Sequence, residues 1–545
     1  MDRGPACAEI RQAGGLWASD TVTNYYNTAR MRVGLGLQQP TGAWTNGFTY
    51  DGGHRLATVI SPAGTFTYSY KGPGNLVTNL SLPNGSRITN AFDTVGRLTS
   101  TRLLTSGDSL LNSYAYIYNL AGHRTNLTRT DGNRVTNTYD NIGQLQSARG
   151  SGGQSTENLG YLYDTAWNLN KRTNNGTPTT LAVDVKNQLT SVGGYTCVYD
   201  NNGNLTSRQT GASTYVYYSY DDENQLASVT TDTYGTPTGS RWKSEFTYDG
   251  RGRLRKRVDY TWNTYPPGSW QVSGETRYVY DGMRVIQERS SANTPTVAYT
   301  RGNDLSGSME GAGGIGGLLA RSHGYSGGAF STHNFYHADG NGNVTALVDS
   351  AQASAASYRY NPYGGLLGSS GGMAGANVYR FSSKEFFGGS LNLYYYGYRF
   401  YDPNLQRWLT RDPVFEQGGV NLYAFVDNRP VSGVDHLGLT LSGPTGARGA
   451  AKAGCAAGIA LGVLRGEQMQ PSPRWRYAHC MASCLIARAC GQTTAKVAGF
   501  AKEVIDLLKC SFSLGTDKGA CGSAFQPSDF QDNKRGREGV SPGYW

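Results

Sequence analysis

No apolar run in this 545-residue chain approaches the roughly 20 residues that a helix needs to cross a bilayer. Charge is sparse: Asp, Glu, Lys and Arg make up 16% of the residues, too little for a coiled coil. Collagen is excluded too, because the 74 glycines do not fall on every third position. Met1 to Gly15 carries no apolar signal core, so the ordinary secretory leader is not expected, and export would need a specialised route. Cysteine is almost missing from the first 439 residues. Six of the eight (Cys455, Cys480, Cys484, Cys490, Cys510 and Cys521) lie beyond them. Tyrosine runs the other way, with 38 in the chain and only Tyr477 and Tyr544 beyond residue 440. Residues 440–545 hold 13 Lys and Arg against 7 Asp and Glu, so most of the net +10 sits in the tail. Two compositions this different imply two kinds of core, with a boundary near residue 439.

What is plentiful is aromatic surface. A chain with 12% Phe, Trp and Tyr can bury enough of it to offset the entropy of ordering, which argues against disorder. The phrase Tyr-Asp-x-x-Gly-x-Leu recurs from Tyr139-Asp140, Tyr199-Asp200 and Tyr248-Asp249. Degenerate copies start at Tyr70, Phe92, Tyr118, Tyr163, Val183, Tyr220 and Tyr280. A spacing near 20 residues fits one two-stranded β unit. Residues before each copy alternate, as in Tyr215-x-Tyr217 and Tyr278-Val279-Tyr280, placing rings on one face of a strand. Asp or Asn can accept from backbone two residues on, and Gly supplies positive φ. Each hairpin is too small to bury its own face, so stacked copies must share an apolar seam.

With these phrases the chain resembles the Rhs, or YD-repeat, proteins over most of residues 50–439. The likeness is strongest late. Gly302 to Gly307, Tyr336 to Val344 and Tyr360-Asn361-Pro362-Tyr363-Gly364 look like late elements of that family, and residues 394–439 look like the Rhs-associated core. The resemblance implies a mainly β protein whose repeats wind into a spiralling sheet that forms a shell around a variable C-terminal domain. The divisions expected are an unassigned segment at 1–40, the repeat array at 41–300, the core at 301–439, and a small, mostly helical domain at 440–545.

The resemblance also marks Asp412, Asp435 and Arg399 as a self-cleavage set, cutting between Leu439 and Thr440. Two carboxylates in a partly buried site cannot both ionise cheaply, so one keeps a proton while the other activates water. His436 stands where the family usually has Pro, and a protonatable ring beside Asp435 would weaken that carboxyl as an acid. The plainer reading is that both aspartates cap turns.

Other motifs carry less. Gly311-Ala-Gly-Gly-Ile-Gly316 fits the letters of a dinucleotide fingerprint, but it sits in a β array and is read as a flexible β-element. The array has no clustered basic stripe, so no specific nucleic acid is expected. In the tail, Ala450 to Leu464 is read as a linker or a buried helix, and helices are expected around Cys480 to Cys490 and from Thr494 to Cys510. His479, Cys480, Cys484 and Cys490 lack the usual zinc spacings, and disulfides or packing are favoured over metal. No cofactor is expected. His479, Asp529, Asp532 and Arg537 are candidate site residues of the tail, although a capped, salt-bridged terminus explains the last three more simply.

The resemblance implies a secreted or cell-surface protein that delivers its own C-terminal domain as a toxin in competition between cells. The partners would be that cargo, a cognate immunity protein and secretion machinery. Two alternatives stand beside it: a surface protein whose aromatic repeats bind glycans, and a truncated gene remnant.

Overall fold

The computed structural model describes residues 8–12, 21–151, 157–232, 234–389, 391–439 and 441–442. The chain divides into two units, Met1–Thr445 and Gly446–Trp545, and every described residue belongs to the first. The helices expected in the tail, and with them His479, Asp529, Asp532 and Arg537, lie outside the described residues.

The first unit is built around a 31-stranded sheet in which each strand pairs antiparallel with the next in sequence, from Ala8–Gln12 to Leu366–Ser370. Pairing continues across residues 40 and 300, where the sequence had been divided. The Tyr-Asp phrase explains the repeat in detail. Its Leu opens the return strand, as at Leu145, Leu205 and Leu254. Its Asp closes the turn: Asp140 Oδ1 accepts from the backbone N–H of Ile142 and of Gln144, at 3.0 and 2.8 Å. Its Tyr sits at a β-bulge, where the register shifts by one residue, as between Thr138 and Tyr139 or between Thr247 and Tyr248.

The tyrosine hydroxyl then ties one repeat to the one before it. Tyr220 OH donates to the Leu205 carbonyl, Tyr248 OH to the Leu226 carbonyl, and Tyr280 OH to the Leu254 carbonyl, at 2.7–2.8 Å. Phe at this position would fill the space and lose the bond. A buried hydroxyl requires a partner, and the opening residue of the previous return strand supplies one.

The alternation is as expected, and the face that Tyr215 and Tyr217 share is the more exposed one. In Tyr215–Tyr220 the buried residues are Val216 and Tyr218, while Tyr217 is 42% exposed and stacks on Tyr215 outside the core. Tyr278 and Tyr280 do point inward.

Early strands meet late ones. Arg32 pairs with Asp281, 249 residues on, at 2.8 Å. Gln287 donates to Gln39, and the Gly340 N–H to Tyr116 OH. Beyond the large sheet, the chain forms four short strands, Glu385–Phe387, Leu393–Tyr395, Phe400–Asp402 and Arg407–Trp408. Their aromatic core joins Tyr396, Tyr401, Trp408 and Phe425.

This terminal segment docks along the rim formed by the Tyr-Asp turns. Asn421 Nδ2 reaches Ala166 and Asn168, Arg407 reaches the Asn187 carbonyl, Tyr423 OH reaches the Gly203 carbonyl, and Tyr395 OH reaches the Gly252 carbonyl. The glycine-rich stretch departs from expectation. It is a run of turns from Gly311 to Gly316 rather than a flexible β-element, with Ile315 fully buried and the N–H groups of Ala312 and Gly314 held by Asp304 Oδ2.

Candidate active site at the end of the sheet

Arg399 precedes the strand Phe400–Asp402, Asp412 opens the turn before Pro413, and Asp435 ends the short strand Val434–Asp435. The rim contacts bring these three together, although 36 residues separate the first from the last. Each is 3–5% exposed. Arg399 Nη2 lies 2.7 Å from Asp412 Oδ2 and 3.6 Å from Asp435 Oδ2. Its Nε donates to the Gly438 carbonyl and its Nη1 to the Leu422 carbonyl, while the guanidinium lies 4.1 Å from the centre of the Trp408 ring.

The plainer reading, that the aspartates cap turns, holds for one oxygen of each carboxylate. Asp412 Oδ1 caps its turn by accepting from the Val414 N–H at 3.0 Å. Asp435 Oδ1 accepts from Leu437, Gly438 and Leu439 at 3.3, 2.8 and 2.9 Å. The Oδ2 atoms are turned toward Arg399. Capping therefore fixes the two carboxyls in place without using up the oxygens that face the cation.

The exit segment is held against this group. Gly438 has φ +76°, and a Cβ there would press on Arg399 and Tyr396. A Cβ on Gly418 would overlap both Asp412 Oδ2 and the Leu439 carbonyl oxygen, so both oxygens border the space that the glycine leaves open. Thr440 lies outside the described residues.

Burial pushes Asp412 up to about 6, with Arg399 opposing the shift and the Asp435 charge adding to it. Burial, reinforced by Lys384, holds His436 below the usual imidazole range, so the ring is neutral at pH 7 and brings no positive charge to Asp435. Lys384 was invisible in the sequence, since nothing in Ser382-Ser383-Lys384-Glu385 has a local signature. Its ammonium donates to the His436 carbonyl at 2.6 Å. The nucleotide reading of Gly311–Gly316 falls away, because a strand, Leu318–Ser326, follows it where a phosphate site needs a helix.

Comparison with known proteins places this geometry in context. No family model matches the chain. The double-stranded DNA deaminase toxin A of Burkholderia cenocepacia is 28% identical over 246 residues, covering 44% of this chain and 16% of the toxin. The tRNA3(Ser)-specific nuclease WapA of Bacillus spizizenii is 29% identical over 260 residues, covering 46% of this chain and 9% of the nuclease. The chain thus spans less than a fifth of either relative. Among solved structures, TcdB2-TccC3-TEV aligns with a TM-score of 0.57 at 19% identity, covering 79% of this chain and 25% of that one. The fold is that of a β-repeat sheet, and the chain is similar to part of a toxin and part of a nuclease. More particularly, its sheet shares the fold of TcdB2-TccC3.

Proposed function

We propose that this chain is an Rhs-type repeat shell that ends in a self-cleaving aspartyl site and releases the segment beginning at Thr440 as cargo. The observation that carries the reading is the convergence of Arg399, Asp412 and Asp435 on the backbone at Gly438-Leu439. Asp412, whose carboxyl favours its proton, is the acid. Asp435 is the base and takes a proton from water. The water oxygen bonds to the Leu439 carbonyl carbon while Asp412 passes its proton to the carbonyl oxygen. As the tetrahedral species collapses and the C–N bond breaks, Asp435 gives its proton to the amine of residue 440 and a hydroxyl returns one to Asp412; the acid left on Leu439 then ionises to a carboxylate, its proton passing to the freed amine. Arg399 steadies the Gly438 carbonyl and the negative charge of the pair.

The toxin and nuclease named among the relatives support a cargo that acts on nucleic acid in a target cell, for which a cognate immunity protein and an export route outside the cell are the matching partners. Outward-facing Tyr217, stacked on Tyr215, favours a second reading in which the outer face binds surface glycans, and a glycan array with residues 21–442 tests it.

Intact mass of the purified chain tests cleavage. The wild type is expected as two fragments that split between Leu439 and Thr440 and together carry one added water. Asp412→Asn, which cannot donate a carboxyl proton, is expected as one uncut chain. The same two fragments from Asp412→Asn would end the proposal.

A further inference from the structure

Beside the residues assigned to cleavage lies a buried lysine that the proposed steps do not use. Lys384 is 7% exposed, and its ammonium donates to two main-chain carbonyls from separate elements, His436 at 2.6 Å and Gly313 at 3.2 Å. His436 lies on the exit segment three residues before Leu439, and Gly313 lies in the glycine-rich turn. The two elements are also in direct contact. Gly313 has φ +58°, and any side chain there would overlap the His436 carbonyl. The lysine is aimed from a strained base, since Ser382 and Ser383 take φ values of +52° and +50°, which non-glycine residues rarely adopt. Ser383 anchors that base by accepting from the Gly316 N–H and donating to the Gly342 carbonyl.

We propose that Lys384 and the Gly311–Gly316 turn form a clamp that sets the register of residues 434–439, so that the Leu439 carbonyl is presented to Asp412. Lys384 is thus a positioning residue for self-cleavage. This rests on the self-cleavage reading and adds a regulation to it. A lysine whose acceptors are both carbonyls holds them most strongly as the ammonium. The charged and titratable groups around it are Asp435, Asp304, Arg301, His436 and Tyr396, whose ring centre lies 5.4 Å from the ammonium. Burial, with Arg301 adding and the two aspartates opposing, brings Lys384 down to about 7. The clamp therefore loosens as pH rises through neutrality.

The test follows cleavage of the full chain made by cell-free translation, chased at a series of pH values, with the new ends read by mass. In the wild type the rate is expected to fall about tenfold per pH unit above the Asp412 transition, then more steeply once Lys384 also loses its proton. Lys384→Arg stays charged and is expected to lose only the steeper part. Lys384→Met is expected to cut at least tenfold more slowly, or at scattered positions near 439. A wild type uncut at every pH defeats the self-cleavage reading itself. A wild type that cuts, with Lys384→Met cutting the same bond at the same rate, overturns the clamp alone. If Lys384→Met misfolds, shown by lost resistance of residues 21–439 to added protease, the Lys384→Arg profile decides, and steepening identical to wild type overturns the clamp.

Discussion

Replacing Tyr248 by Phe isolates the bond that ties one repeat to the next. The ring and its packing stay, and only the hydroxyl donated to the Leu226 carbonyl at 2.8 Å is lost. A neutral hydrogen bond contributes about 1 kcal/mol net, and a little more when its buried acceptor is left unpaired. The loss is felt locally, because repeat arrays open in neighbouring units rather than all at once. Native-state hydrogen exchange is the matching assay. A cost of about 1 kcal/mol corresponds to roughly fivefold faster exchange, confined to the amides of Leu226–Thr231 and Trp242–Tyr248. Tyr217→Phe is the control, since Tyr217 is 42% exposed and faces away from the core, and its exchange pattern is expected to match wild type. Equal acceleration in both variants, or acceleration spread evenly over the sheet, would refute the claim that the Tyr-Asp tyrosine couples adjacent repeats.

Two further outcomes follow from buried groups. Burial, with Glu288 adding, raises Glu385 well above the carboxylate range, so the folded state keeps its proton where the unfolded chain has lost it. Stability is then fullest at acid pH and is lost as pH rises toward the raised value. Glu385→Gln, which still accepts from Tyr278 OH, is expected to flatten melting temperature against pH between the ordinary carboxylate range and about 8, and parallel profiles would refute this. Gly203 has φ +84°, and a Cβ there would overlap Arg411 and the Tyr423 hydroxyl, so Gly203→Ala is expected to shift Asp412 and slow cleavage while hydrogen exchange in the early strands stays unchanged.

The repeat was legible because its causes are local. Turn closure by Asp, positive φ at Gly and the strand start at Leu all act within a few residues, and all appear where the phrase places them. Alternation put the rings of Tyr215 and Tyr217 on one face, as they are, but it does not fix which face is buried. That depends on what the sheet packs against. The glycine-rich turn was misread for a related reason: its compactness comes from Asp304 and Ser383, and Ser383 is 67 residues from the Gly316 amide that it holds. Asp412 and Asp435 were named through family likeness and not from spacing. Lys384 acquires its place through contacts with distant segments, at Gly313 and His436, and short-range patterns do not carry such contacts.

The same dependence on distant contacts bears on when a self-cutting site becomes competent. Arg399 and Asp412 are held by the terminal segment, and that segment is held by the rim. The Leu254 N–H donates to Tyr395 OH, the Leu205 N–H to the Leu409 carbonyl, and Tyr423 OH to Gly203. Leu205 and Leu254 are opening residues of return strands, and their own repeats are tied to the next by Tyr220 and Tyr280. A wall with those repeats unformed offers the terminal segment no rim, and the contacts that place Tyr395, Leu409 and Tyr423 are then missing. On the cleavage reading, the cut is then a consequence of completed folding and needs no separate trigger: the order of events is written into which backbone groups the last residues of the unit must find.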